Sequence, residues 1–265
     1  MITILTPTYN RAYTLQRLFD SLLAQEDTRF EWLIVDDGST DNTKGLVKSF
    51  DEKNLIKIRY FYQENMGKPS AINLGVENSS TDYIFIVDSD DLITSDCIKT
   101  LLIEIKKHSN SNNKFSGLCF RKGNLDGSVL GPRIVDVNLN SKLYNSTSIQ
   151  NLLKVDMAYC FKKSYMQTNM FPKFNGEKFV PELYIWNRIT DLDLVYTYIN
   201  KVVYLCEYRP DGLTANFKSQ LKKNPKGFLL YYKDQIQREK TVLRKTKMTI
   251  RAFQCHIYEA LGLMR

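Results

Sequence analysis

Hydrophobic and polar positions along the first hundred residues keep switching between two periods. Ile2-Thr3-Ile4-Leu5 is a short β-branched run that reads as a strand, and Pro7, with no N–H to donate, is expected to end it. Leu15, Leu18, Phe19, Leu22 and Leu23 then recur at helical spacing. Trp32–Val35 reads as a second strand, and Leu46, Val47 and Phe50 as the apolar side of a second helix. Ile56, Ile58, Tyr60 and Tyr62 alternate as a third strand. Ala71, Ile72, Leu74, Gly75 and Val76 suit a helix packed closely on a sheet. Tyr83–Val87 is a continuous apolar run, read as a fourth, buried strand. This alternation predicts the α/β class: a mostly parallel central sheet flanked by crossover helices.

In such sheets ligands sit outside the carboxyl ends of the strands. Polar motifs stand where that rule places them: Thr6–Arg11 after the first strand, Asp36–Asp41 after the second, Asp88–Asp91 after the fourth. Asp88-Ser89-Asp90-Asp91 carries the most information. Its three acids repel one another and lose hydration near a sheet, and they are tolerable there if a cation sits among them. Oxygen ligands of this kind suit Mg²⁺ or Mn²⁺, which can in turn hold a diphosphate. A D-x-D is short, and an acidic turn that caps the next helix is spelled the same way. What raises the metal–nucleotide reading is the coincidence of three motifs at one edge of the sheet.

The second half is less regular. Residues 109–150 are polar and turn-rich, with a short strand at Gly117–Arg121, a hairpin through Asp126-Gly127, and a long loop. The loop reads as a lid, an acceptor surface or a variable insertion. Ala158–Phe161 reads as a strand; Leu183, Ile185, Trp186 and Ile189 fall at helical spacing. Pro181 and Glu182 suit that helix's first turn, where proline is tolerated and an acid meets the positive end of the dipole. His108, in a Lys-Lys-His-Ser helix end, reads as solvated, and His256 as an ordinary helix residue.

Taken in order, Thr6-Pro7-Thr8-Tyr9-Asn10-Arg11, Val35-Asp36-Asp37-Gly38-Ser39-Thr40-Asp41, Asn65-Met66-Gly67-Lys68 with Ala71-Ile72-Asn73 and Gly75, and Asp88-Ser89-Asp90-Asp91 resemble the family-2 glycosyltransferases with the GT-A fold. The resemblance is strong over residues 1–100, weaker to 215, and absent over the last fifty. It implies a Rossmann-like GT-A domain over residues 1–215, with a nucleotide-binding half at 1–100 and an acceptor-binding half at 101–215. It also implies a nucleotide-sugar donor such as a UDP-sugar, a Mn²⁺ or Mg²⁺ ion, and inversion at the anomeric carbon. Residue by residue, Pro7, Thr8, Tyr9, Asn10 and Arg11 fall where the family cradles the nucleotide, and Asp37 where a carboxylate accepts the base N–H. Asp36 falls where an acid holds the loop. Lys68 falls where a cation lies near the diphosphate. Asp88 matches the ribose-side or metal-side acid beside Ser89, Asp90 the direct metal ligand, and Asp91 the acid that meets the donor sugar. Arg209, in Arg209-Pro210-Asp211-Gly212-Leu213-Thr214, is a phosphate contact or part of a plain turn. The family's acidic pair before a helix is here Pro181-Glu182, with Glu177 five residues earlier; Glu182 is the implied base and Glu177 the alternative.

Composition then sets limits. The chain of 265 residues is 43% hydrophobic, enough for a full core. Its five cysteines are scattered, with no C-x-x-C, which suits reduced thiols and a cytoplasmic protein; no signal-peptide pattern precedes the first strand. Residues 216–265 carry 12 Lys/Arg against 3 Asp/Glu, and a formal charge of +8 belongs to the whole chain, so this segment is the basic part. Its mix of basic, aromatic and aliphatic residues reads as a basic amphipathic helical C-terminal extension. Such an extension suits attachment to an anionic membrane surface, or a helical hairpin packed on the core with a solvated basic face. Nucleic acid is an unfavoured partner, because the acidic crevice would oppose it. The expected activity is transfer of a sugar to a saccharide acceptor, lipid-linked, in polysaccharide synthesis. A nucleotidyltransferase and a sugar-binding protein without turnover are the alternatives. The first would want a Gly-rich basic loop after strand one, which Thr6–Asn10 lacks; the second leaves Asp88, Asp90, Asp91 and Glu182 without a task.

Overall fold

A computed structural model of the chain describes every residue except 111, 112, 133, 135, 208–215 and 263–265. The first half alternates as β1 (Ile2–Thr8), α1 (Ala12–Leu23), β2 (Phe30–Asp36), α2 (Thr43–Asp51), β3 (Ile58–Tyr62), α3 (Lys68–Asn78) and β4 (Tyr83–Ile86). Then come β5 (Leu92–Ile93), α4 (Cys97–Ser109), β6 (Gly117–Gly123), β7 (Lys142–Tyr144), α5 (Ser146–Leu153), β8 (Met157–Lys162), α6 (Lys163–Thr168), α7 (Glu182–Leu192) and β9 (Val195–Leu205). Three helices follow: α8 (Phe217–Lys223), α9 (Pro225–Arg238) and α10 (Val242–Ala260).

The strands form one sheet in the order β3-β2-β1-β4-β8-β6-β9-β5, with β7 also paired to β9. β1 is parallel to β2 and β4, and β2 to β3, while β8 runs antiparallel between β4 and β6. The chain steps outward from β1 to β2 and β3, then returns to lay β4 on the other side of β1. That reversal is the topological switch point where open α/β sheets bind ligands.

Each residue of β1 and β2 is buried, because helices cover both faces of the sheet. On one face Phe19 of α1 stacks on Phe50 of α2 at 4.2 Å, above Trp32 of β2. On the other, Leu5, Leu33 and Val35 pack with Ala71, Ile72 and Val76 of α3. Gly75 explains the close approach there: a Cβ would lie 2.1 Å from Leu5 Cδ1. Glu31 of β2 is fully buried, accepts hydrogen bonds from Thr3 and Ser80, and lies 2.8 Å from Lys57 and 3.6 Å from Arg59.

Several expectations change. β1 runs through Pro7 to Thr8. Thr8 accepts from Asp37 on the β2 side, so by alternation Pro7 faces β4, where pairing has already ended at Leu5↔Ile86 and the missing N–H leaves the β2 ladder intact. Residues 117–123 and 129 do close a tight hairpin, with Gly127 at φ +82°. The stretch read as a long loop, however, contains β7 and α5. His108 is buried, not solvated: its ring stacks on Tyr196 at 3.4 Å and Nε2 lies 2.7 Å from Tyr198 Oη. Both tyrosines come from β9, which the pattern reading passed over although Val195-Tyr196-Thr197-Tyr198-Ile199 is rich in β-formers. The five cysteines are free, and all but Cys206 are buried.

The C-terminal helices build onto this body. α9 packs on α10 around Phe228, Leu229, Tyr232, Ala252 and Cys255, and Gly227 passes so close to Phe179 that a Cβ would lie 2.1 Å from its carbonyl oxygen. Among the described residues no helix is long and apolar enough to cross a membrane.

Candidate active site

One crevice of about 1860 Å³ opens at the carboxyl ends of β1 and β4 and runs toward α8, α9 and α10. β1 delivers Pro7, Thr8 and Tyr9 to its wall, with Arg11 just beyond; Thr8 is buried, while Tyr9 is 47% exposed. Asn10 does not line the crevice. It sits at φ +52° with its Oδ1 accepting from Thr40 N at 2.7 Å, which ties the β1 turn to the β2 turn. Within that second turn Asp36 accepts from Ser39 N at 2.8 Å and from Tyr60 Oη at 2.6 Å, so it holds the loop as expected.

Asp37 faces the crevice but is already well supplied with donors: Gln63 Nε2 at 2.6 Å, and the Met66 and Gly67 amides at 2.8 Å. It thereby fixes the 63–67 loop that starts α3. Gly67, at φ +92°, passes under Lys178, where a Cβ would meet the carbonyl oxygen at 1.8 Å. Pro69 follows in the first turn of α3, where its missing N–H costs nothing. These constraints set Lys68 at the crevice wall. Its Nζ lies 2.6 Å from Asp88 Oδ1 and 2.6 Å from Glu182 Oε1, bridging the end of β4 to the first residue of α7.

The 88–91 turn is organised from behind by Tyr204 of β9. Its hydroxyl accepts from the Asp88 amide at 3.1 Å and donates to Asp91 Oδ2 at 2.6 Å. Ser89, Asp90 and Asp91 all line the crevice with Asp88. Lys122 of β6 joins them, its Nζ lying 4.5 Å above the Tyr204 ring. Burial alone would lift the Asp88 carboxyl, but the Lys68 and Lys122 charges outweigh it and hold Asp88 below its ordinary value. Asp90 is raised, by burial and by the Asp88 carboxylate. Asp91 is pushed up to about 7 by the same two causes, against the pull of Lys122 and Tyr204. Three carboxyl groups thus crowd this end of the crevice, with Lys68 and Lys122 beside them.

Two buried side-chain atoms among the described residues lack a hydrogen-bond partner, Thr8 Oγ1 and Asp88 Oδ1. Asp88 Oδ1 nonetheless has a charge partner, Lys68 Nζ at 2.6 Å. Both residues stand at the crevice, at the ends of the two strands that flank the switch point. No group of three or more His, Cys, Asp or Glu side chains that could hold a metal ion is found among the described residues. Mg²⁺-type binding takes one or two carboxylates completed by substrate phosphate and water, and Asp88 and Asp90 are crevice carboxylates that could supply them.

Glu177 departs from its reading as alternative base. Its carboxylate accepts from the Lys226 and Gly227 amides at 2.9 Å each, capping the start of α9, and it does not line the crevice. Glu182 does. Arg209 lies outside the described residues. Lys122 and Tyr204 were missed because each sits inside a strand with no motif around it. Phe228, Tyr231 and Tyr232, which also line the crevice, were read as part of an extension although α9 forms its wall.

Glycosyltransferase GlyA of Streptococcus pneumoniae is 27% identical over 222 residues, covering 80% of this chain and 31% of that protein. The chain spans between a fifth and a third of the length of the first curated relatives it matches. Among solved structures, S. aureus TarS 1–349 in complex with UDP-GlcNAc superposes with a TM-score of 0.67 at 18% identity, covering 96% of this chain and 72% of that one. Mannosyltransferase PcManGT from Pyrobaculum calidifontis, in complex with GDP-Man and Mn²⁺, superposes with a TM-score of 0.62 at 17% identity, covering 95% and 69%. These two likenesses establish the GT-A fold. Residues 3–165, more than half of the chain and all three strand-end motifs, match the model of glycosyl transferase family 2, and the chain belongs to that family.

Proposed function

We propose that the crevice moves the sugar of a nucleotide sugar, a UDP-sugar in the first instance, onto a hydroxyl of a lipid-linked saccharide, with inversion, in bacterial polysaccharide synthesis. The observation that carries this reading is the cluster of Asp88, Asp90 and Asp91 lining the crevice at the switch point, with Lys68 Nζ 2.6 Å from Asp88 and the Thr8 hydroxyl buried beside them without a hydrogen-bond partner. A buried polar atom left unsatisfied costs about 1–3 kcal/mol, so a strand end that keeps the Thr8 hydroxyl unsatisfied beside three carboxyl groups suits a polar, charged ligand. The chemistry bound by the two superposed structures is that of nucleotide sugars, which supports the donor class.

The roles follow from position. Tyr9 offers an exposed ring for the base to stack on. Asp88 and Asp90 would hold the Mn²⁺ or Mg²⁺ ion, which supplies positive charge to a diphosphate leaving group. Lys68 adds a second positive charge beside Asp88. Glu182, across from it, takes the proton of the acceptor hydroxyl as the new C–O bond forms and the bond to the diphosphate breaks, the electron pair leaving with the phosphate oxygen. Asp91, oriented by Tyr204, meets the hydroxyls of the donor sugar. Glu177 is left with its helix-capping role.

The test is release of nucleoside diphosphate from a panel of UDP-, GDP- and dTDP-sugars with Mn²⁺ or Mg²⁺ and a saccharide acceptor. Asp90→Ala is expected to lower turnover by about 100-fold or more. Equal turnover in the variant, or none from any donor in the wild type, would overturn the reading.

A further inference from the structure

The outer face of α10 is apolar. Val242, Leu243, Ile250, Phe253 and Ile257, with Leu261 at the helix cap, are each between 40% and 81% exposed. At about 100° per residue these six fall within one stripe about 100° wide. The opposite side of the helix is already satisfied, since Met248, Ala252 and Cys255 pack against α9. Single exposed apolar residues are ordinary on a protein surface, but six in one stripe along a 19-residue helix, interrupted by Thr246, mark an interaction face.

Charge identifies the partner. α10 carries Arg244, Lys245, Lys247 and Arg251 against one acid, Glu259, and Lys240 stands exposed just before it. Lys245 flanks the stripe on one side, Lys247 and Arg251 on the other. An apolar stripe bordered by cations matches the acyl–headgroup boundary of an anionic bilayer: the apolar side chains enter the acyl region and the ammonium groups stay at the phosphate level. Position agrees. Lys247, Ile250 and Arg251 also line the crevice, so the stripe is continuous with the rim of the candidate active site.

From this geometry we infer that α10 docks on an anionic lipid surface, with the crevice mouth opening at that surface. The inference deepens the proposed function by stating where a lipid-anchored acceptor is met, but it needs neither donor nor turnover to be tested.

The full chain would be sedimented with vesicles of phosphatidylcholine alone and of phosphatidylcholine with phosphatidylglycerol. Binding is expected to the anionic vesicles only and to weaken as salt rises. Phe253→Ser/Ile257→Ser, neither residue lining the crevice, is expected to weaken it at least tenfold with an unchanged melting temperature. Lys240→Glu/Lys245→Glu tests the charge arm without touching the apolar stripe and is expected to weaken binding likewise. The inference is overturned if the wild type ignores anionic vesicles, if both double variants bind like the wild type, or if light scattering shows a lipid-free dimer that Phe253→Ser/Ile257→Ser separates. That last outcome would assign the stripe to a second copy.

Discussion

Two glutamates five residues apart divide the work. Glu177 has both carboxylate oxygens engaged by backbone amides at the start of α9, while Glu182 opens α7 at the crevice and touches Lys68. Removing either carboxylate should therefore have opposite consequences. Glu182→Gln is expected to lower kcat about 10²–10⁴-fold with donor affinity and melting temperature retained. Glu177→Ala removes an acceptor for two amides and is expected to cost about 1–2 kcal/mol of stability with kcat little changed. Steady-state kinetics and thermal melts on both variants check the division. A loss of turnover in Glu177→Ala with unchanged stability would reverse the assignment. Nothing in the residue types separates these acids; their neighbours do.

At the scale of elements, the site depends on how α3 begins. Asp37 gathers the 63–67 loop, Gly67 turns beneath Lys178, and Lys68 emerges against Asp88. Gly67→Ala forces a side chain into a positive-φ position, worth about 1–3 kcal/mol of strain, before the contact with the Lys178 carbonyl is counted. Gly127, also at positive φ, has nothing within 4 Å of an added Cβ. Gly67→Ala is expected to lower the melting temperature more than Gly127→Ala does and to weaken donor binding, which Gly127→Ala should leave alone. Equal effects would show that backbone strain alone, and not the packed turn, governs this loop.

For the whole molecule, Glu31 ties separate parts of the sheet together. It reaches Thr3 of β1, Lys57 and Arg59 at the start of β3, and Ser80 before β4. Burial alone would raise its carboxyl, but the hydrogen bonds from Lys57, Ser80 and Thr3 together lower it from 4.5 to about 2. The charged form is thus favoured by folding. Its contribution, roughly 3 kcal/mol, is present above pH 4.5 and is lost as pH falls toward 2. Urea unfolding at pH 7, 4 and 3 should show stability falling through that window. Glu31→Gln should be less stable at pH 7 and flatter below 4.5. A variant that keeps the wild-type pH slope would place the acid sensitivity elsewhere.

The order of strands and helices through β4, the strand-end positions of Thr8, Asp37 and Asp88–Asp91, and family membership were determined by the sequence alone. Periodicity and motif order are local properties, written residue by residue. Tertiary structure decided the rest. Lys122 and Tyr204 join the site because β6 and β9 pair beside β4 and β8. His108 is buried because β9 brings Tyr196 and Tyr198 to it, and Glu177 is a cap because α9 begins beside it. The charge count of the last fifty residues says nothing about which side of α10 is covered. Only its packing on α9 leaves Phe253 and its neighbours facing outward, because a contact between distant segments depends on where the chain returns, which no local pattern records.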